Sequence, residues 1–298
     1  MLYKSNLGTN IDFKLKGKSF SPKMTLRLRG KVIDLSHPIV MGILNVTPDS
    51  FYDGGRYLQN ESVLLKQAEK ILKEGATIID IGGYSSRPGA DDISVDEEKD
   101  RVLNSIRLVS QNFPEAFISI DTFRAEVARE AVQAGACLVN DISGGQLDER
   151  MYDTVAEMDV PYILMHMRGT PQNMKQLTDY DDLVLDMLNY FQRKLALLRQ
   201  KGVKDIIIDP GFGFAKNIDQ NFLLLKRLAD FGVLEAPLLA GLSRKSMIYR
   251  RLNIAVEDAL NGTTVLNTIA LVNGACILRV HDVKEAIQTI NLYKYTYT

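Results

Sequence analysis

Short apolar runs alternate with longer amphipathic stretches about eight times along this chain, and that alternation is the strongest limit on its fold. The runs are IVMGILN (39–45), TIIDIGG (77–83), AFISID (116–121), CLVND (137–141), YILMHM (162–167), DIIIDP (205–210), PLLAG (237–241) and CILRV (276–280). They are apolar on both faces, as parallel strands covered by helices must be, so the repetition selects an α/β architecture. Eight units predict a closed (β/α)8 TIM barrel, which at roughly 250 residues leaves only a modest extension in a chain of 298.

The alternation of apolar and polar residues in TLRLRGKVIDL (25–35), around Arg29-Gly30, predicts a small β-hairpin ahead of the first barrel strand, placed to close the barrel's N-terminal end. Residues 1–24 carry Lys4, Lys14, Lys16, Lys18 and Lys23 without a clear period and are expected to form a loosely attached extension to one domain spanning 25–298. Ser94 followed by Glu97 predicts a capping box at a helix start. Gly75 and Gly135 fall where left-handed C-caps belong, each between an amphipathic stretch and a strand.

Composition excludes several classes. Lys+Arg 36 against Asp+Glu 37 gives no global field for nucleic acid or an anionic membrane, so any anion site is local. No apolar run approaches the roughly 20 residues of a membrane span, and MLYKSNLGTN has no signal-peptide core, so a cytoplasmic protein is expected. Cys137 and Cys276 lie in separate strand runs and are expected to be buried thiols. The three histidines, His37, His166 and His281, lack zinc spacing. PGFGFAKN (210–217) is not a dinucleotide fingerprint, and GLSRKS (241–246) lacks the first half of a P-loop.

Parallel barrels gather the C-terminal ends of their strands on one face, and here six strand-like runs end in polar groups: Asn45, Asp121, Asn140, Asp209, Lys245 and the Arg279/His281 pair. A carboxylate facing a barrel interior is costly unless a ligand or partner supplies donors. Asp121, Asn140 and Asp209 together therefore ask for a ligand rich in N–H groups, such as a planar heterocycle with a ring N–H beside an exocyclic amine. For Asp121 a second reading stays open, that it caps the helix-like stretch after Thr122. Lys245 suits a ring carbonyl, and Phe212 and Phe214 a flat ligand. His166 reads either as a site group or as a core imidazole, with Met165 as pocket wall. Arg279 and His281 are two apart, share a face, and suit a multiply charged phosphate. In the first loop Asn45 can offer an oxygen to a hard cation or an N–H to phosphate, and Asp53 can join a cation shell. Arg87 in the second loop suits a phosphate or carboxylate, or equally a salt bridge to Asp91 or Asp92. Ser246 opens the helix after Lys245, where its hydroxyl and free N–H groups can receive a carboxylate.

In this order and spacing MGILNVTPDSF, IDIGGYSSRPGA, NDISGG, IIIDPGFGF, LSRKS and RVHD resemble the dihydropteroate synthases of folate biosynthesis, a pterin-binding family. The similarity runs from about residue 26 to the C-terminus. It implies a homodimeric barrel, a sulfonamide target as a family. Such an enzyme joins 6-hydroxymethyl-7,8-dihydropterin diphosphate to 4-aminobenzoate with loss of diphosphate. By resemblance Asp121, Asn140, Asp209 and Lys245, with Met165 and Phe214 as walls, bind the pterin. Asn45, Arg279 and His281, joined by Arg87, hold the diphosphate, with Mg²⁺ on Asn45 and Asp53. Phe51, Ser86, Pro88, Phe214 and Ser246 frame aminobenzoate. Many relatives read GGESTRPG where this chain has Tyr84 and Ser86. Two other expectations compete: a pterin-dependent methyltransferase that serves a corrinoid protein, and a non-catalytic pterin-binding paralogue.

Overall fold

The computed structural model describes residues 24–46, 57–85 and 92–297, and of these the side chains of 57–60 are left aside. The predicted extension, apart from Met24, therefore lies outside the described residues, as do Phe51, Asp53, Ser86, Arg87 and Pro88.

A hairpin comes first, β1 (Thr25–Leu28) against β2 (Lys31–Asp34), antiparallel about a turn in which Arg29 and Gly30 both take positive φ, 47° and 75°. Eight parallel strands follow: β3 (Ile39–Asn45), β4 (Ile78–Gly82), β5 (Phe117–Asp121), β6 (Leu138–Asp141), β7 (Tyr162–Met165), β8 (Ile206–Asp209), β9 (Leu239–Ala240) and β10 (Ile277–Val280). Their order is β8-β7-β6-β5-β4-β3-β10-β9, and a parallel bridge from Ile208 to Leu238 brings the two ends together, so the predicted barrel closes. The helices between strands are α1 (Tyr57–Lys73), α2 (Val95–Asn112), α3 (Ala125–Ala134), α4 (Met151–Glu157), α5 (Leu183–Gln200), α6 (Ile218–Lys226), α7 (Ser246–Leu252), α8 (Leu260–Val272) and α9 (Val283–Tyr297).

Local chemistry sets several helix starts. Ser94 Oγ accepts the Glu97 N–H at 3.1 Å, while the Glu97 carboxylate pairs with Arg101, so half of the expected capping box forms. Asp182 caps α5 through the N–H groups of Val184 and Leu185 at 3.0 and 3.1 Å, and Asn217 with Gln220 completes a reciprocal box at α6. Gly75 and Gly135 take positive φ at their helix ends, as predicted.

Period two divides each strand between two cores. Outward residues such as Val40, Ile79, Ile118, Val139, Leu164, Ile208 and Leu278 pack under the helices. Inward, Met41, Ile78, Phe117, Leu138, Ile163, Ile207, Leu239 and Ile277 supply one side chain from each strand to an apolar floor. Leu26, Leu28 and Leu35 of the hairpin segment seal that floor from below, and Cys137 and Cys276 are buried free thiols in the same cluster. Burial pushes both thiols up to about 11, which suits packing rather than reactivity.

Candidate active site

Two residues above the floor, five of these eight strands turn from hydrocarbon to polar groups. Counting on from the floor gives Asp80, Ser119, Asn140, Met165, Asp209 and Arg279. Strand pairing aligns them as neighbours: Asp80 with Ser119, and Met165 with Asp209. Asp121, two residues on from Ser119, pairs in register with Asn140, and Asn45 ends β3.

Arg279 ties this storey together. Its Nε donates to Asp80 Oδ2 at 2.6 Å and its Nη2 to Asp121 Oδ2 at 2.6 Å. Asp80 Oδ2 also accepts Asn140 Nδ2 at 3.0 Å. One carboxylate, fully buried, thus fixes an arginine and an amide side by side. Asp80 Oδ1 and Ser119 Oγ, on adjacent strands, are buried without a hydrogen-bond partner. Such atoms are costly to leave unpaired, and they give a bound N–H or hydroxyl something to meet. Burial raises Asp121 to about 7, Arg279 opposing and Asp80 adding to the rise. The arginine itself is held above its ordinary range: burial opposes the charge, and Asp80 and Asp121 outweigh it. The helix-cap reading of Asp121 fails, because Asp148 Oδ2 takes the first N–H of α3, that of Ala125, at 2.9 Å.

Asp209 closes β8 with Oδ1 accepting the Gly211 N–H at 2.7 Å. Burial raises its pKa, with Lys245 the main opposing influence. Lys245 is lowered to about 8, again by burial first, with Asp209 opposing. Its ammonium donates to the Phe212 carbonyl and stands 4.5 Å from the Phe214 ring centroid. The chain between them must be glycine. Gly211 (φ 69°) would drive a Cβ to 2.3 Å from the His166 carbonyl, and at Gly213 (φ 84°) a Cβ would lie 3.2 Å from Lys245 Cδ.

Beneath this turn Lys216 is buried, donating to His166 Nδ1 at 3.1 Å, Gly211 O at 3.0 Å and Phe214 O at 2.9 Å. Burial lowers Lys216 to about 7 and drives His166 well below its usual range, with Lys216 next among the causes. The core-imidazole reading of His166 therefore stands: the ring is buried, and its Nδ1 meets the Lys216 side chain. Met165 and Phe214 join Ile142, Met167, Met174, Ala215 and Phe123 in an apolar collar.

The two remaining motifs are pinned to each other. Arg244 meets Asp282 in bidentate fashion, Nε and Nη2 each at 2.9 Å. Ser243 Oγ lies 3.1 Å from His281 Nδ1 and accepts the His281 N–H at 3.2 Å. Lys245 and His281 are thereby positioned by the same joint, and Ser246 begins α7 as predicted. In NDISGG the one acid is structural: Asp141 accepts from Ser143 N, Gly145 N and Tyr162 OH at 2.7, 2.8 and 2.7 Å. Asp80, Ser119, Lys216 and Arg244 were not singled out from sequence.

A cluster of three or more His, Cys, Asp or Glu suited to a metal is absent among the described residues. Asn45, a lone amide at a strand end, does fit a magnesium ion that takes most of its oxygens from water and substrate phosphate.

Comparison with known proteins agrees with this geometry. Residues 41–281 match the family described as pterin binding enzyme. The dihydropteroate synthase of Escherichia coli K12 is 44% identical over 276 residues, covering 92% of this chain and 96% of that protein. Among solved structures, the Yersinia pestis dihydropteroate synthase with a sulfonamide drug superposes with a TM-score of 0.84 at 42% identity, covering 92% of this chain and 99% of that one. The Thermus thermophilus dihydropteroate synthase in complex with 4-aminobenzoate gives 0.82 at 33% identity, covering 92% and 100%. The chain belongs to the pterin-binding enzymes and, among them, to the dihydropteroate synthases.

Proposed function

We propose that this chain condenses 6-hydroxymethyl-7,8-dihydropterin diphosphate with 4-aminobenzoate and releases diphosphate, as a transferase of folate biosynthesis. The observation that carries this reading is the Asp80–Arg279–Asp121 bridge with Asn140, set in the same barrel mouth as Asp209 and Lys245. One set of groups matches the donors and acceptors of a pterin edge; Arg279 brings positive charge beside it.

In this scheme Asp209 accepts from the ring N–H and exocyclic amine, Asn140 donates and accepts, and Lys245 meets the ring carbonyl. Arg279 spends Nε and one Nη2 proton on carboxylates, and its other N–H groups, with His281, hold the diphosphate. Charge that develops on the departing diphosphate meets groups already in place. Magnesium, held by Asn45 and Asp53, would add neutralising charge there. The pterin methylene that remains is cationic, its charge spread into the ring and offset by Asp121 and Asp209. The neutral aniline nitrogen attacks it and then gives up its extra proton to the released diphosphate or to water, in an S_N1-like transfer that requires no strong base and no enzyme adduct. By resemblance Phe51, Ser86, Pro88, Phe214 and Ser246 frame the aminobenzoate, and Arg87 assists with diphosphate.

A homodimer is part of the proposal. Asn261, Val265, Thr268, Ile269 and Val272 form an exposed stripe along α8, a helix whose opposite face is already buried. Leu252, Ile254 and Val256 add exposed apolar surface just ahead of it. Exposed Val265, Ile269 and Val272 together with that surface call for cover. No helix among the described residues is long and apolar enough to cross a membrane, in keeping with the proposed cytoplasmic location.

The test is diphosphate release as a function of aminobenzoate. Release that depends on it supports the synthase, whereas methyl transfer without it points to the corrinoid-linked methyltransferase, and pterin binding without turnover to a non-catalytic paralogue. Asp209→Ala should weaken pterin binding by about 1–3 kcal/mol, the cost of ring N–H groups left unpaired. Arg279→Ala should weaken diphosphate-bearing ligands far more than free pterin, as read by calorimetry; equal losses would remove Arg279 from the diphosphate.

A further inference from the structure

Tyr84 stands at the exit of β4, and its surroundings give it a role. It follows Gly82-Gly83 at the end of β4 and leaves the barrel at the mouth. Its ring meets Phe123, just beyond β5, edge to face with centroids 5.0 Å apart. Its hydroxyl accepts Gln172 Nε2, from the segment after β7, at 3.0 Å. The Arg124 guanidinium lies 5.6 Å from the Tyr84 ring centre and 5.2 Å from that of Phe123. Arg124 is itself fixed, donating to Glu98 Oε2 at 2.7 Å, Ser94 O at 3.1 Å, Asp92 Oδ1 at 3.2 Å and Ile93 O at 2.5 Å. One side chain therefore joins the ends of three βα loops, and through Phe123 it reaches the apolar collar that holds Phe214.

That collar runs from Met165, paired with Asp209 on the polar storey, to Phe214, which frames the aminobenzoate in the scheme above, so an aromatic acceptor that arrives second lies at its Phe214 end. We infer that Tyr84, bridged to Gln172 and packed on Phe123, is a positioning residue that sets affinity for the aromatic second substrate without touching the pterin. The inference rests on the synthase reading above. The Tyr84 phenol adds a ring and no charge beside Phe123, burial holding it above its ordinary range.

The experiment compares wild type with Tyr84→Ala, Tyr84→Phe, Gln172→Ala and the Tyr84→Phe/Gln172→Ala double variant. Initial rates are recorded with each substrate varied, and thermal melting checks that every variant is folded. Tyr84→Ala should raise KM for aminobenzoate about tenfold, the scale of one aromatic contact plus one hydrogen bond, while KM for the pterin diphosphate stays within about twofold. Tyr84→Phe and Gln172→Ala should each raise the aminobenzoate constant roughly two- to fivefold, and the double variant no further, because they remove the same bond. Equal rises for both substrates, an unchanged aminobenzoate constant, or additive single effects would overturn the proposal. Calorimetric titration of aminobenzoate into protein saturated with pterin diphosphate separates the two claims. A wild type that binds both ligands without turnover sinks the synthase reading alone, and variants with unchanged aminobenzoate affinity sink the role of Tyr84 alone.

Discussion

The floor and the polar storey of this barrel are built on the same strands two residues apart, yet they solve opposite problems. The floor takes Ile78 from β4, Leu138 from β6, Ile207 from β8 and Ile277 from β10, and the leucines of the hairpin shut it from water. One step along, β4 supplies Asp80, β6 Asn140, β8 Asp209 and β10 Arg279. Backbone geometry is shared, so the difference is one of transfer free energy. Hydrocarbon below gains from burial, and charged groups above are buried against their preference, as the raised Asp121 and lowered Lys245 record. A barrel can carry that unfavourable storey because its floor and its helix-covered outer face supply the stability.

If that division is right, damage to the floor should show in stability and not in chemistry. Ile78→Ala removes a fully buried side chain where the strands and the hairpin leucines meet. Urea denaturation should register a loss of about 2–5 kcal/mol, while the pterin affinity of the folded fraction stays within a factor of about two. An affinity loss as large as the stability loss would mean that the two storeys are one mechanical unit and would break the comparison.

How much of this was legible follows from the same two storeys. All eight strands could be read because parallel strands covered on both faces leave unmistakable apolar runs between turn residues. β9 proved shorter than its run, two residues, with Leu238 ahead of it making only an isolated bridge to Ile208. Site residues at strand ends were visible because a polar group breaks the run there. Asp80 was missed for the reverse reason: it lies inside its run, flanked by Ile79 and Ile81, although counting in twos from Ile78 puts it in register with the floor. Ser119 hides likewise between Ile118 and Ile120. Lys216 carries no signal, since a lysine before a helix cap looks like any solvated residue until the fold closes over it. Arg244 and Asp282 sit 38 positions apart, and only the pairing of β9 with β10 brings them together.

A pH titration sharpens the contrast from the polar side. Asp121, raised to about 7 chiefly by burial, binds more protons folded than unfolded between its ordinary pKa, about 4, and that value. Its contribution to stability is thus complete below about pH 4 and is lost as the pH rises toward 7. Asp121→Asn cannot ionise and keeps an oxygen for Arg279. Its melting temperature should therefore gain on wild type across that window, by on the order of a few degrees, and hold a constant lead above it. A lead that shrinks as pH rises would mean that the ion pair with Arg279 outweighs burial, and that the storey supports itself.

The smallest expected effect concerns how the hairpin is fastened. Lys31 pairs with Glu115, and both side chains are largely exposed, 59% and 83%. Water screens such a pair and side-chain entropy opposes it, so Lys31→Ala and Glu115→Ala should each shift the melting temperature by no more than about a degree or two, with a coupling in the same small range from the double-mutant cycle. Leu26 and Leu28, by contrast, are buried in the floor, where apolar area removed from water does the fastening. A coupling energy well above that range would show that charge, not hydrocarbon, holds the hairpin shut. The floor would then resemble the storey above it, and the distinction between stabilising and functional layers would not hold at the barrel's base.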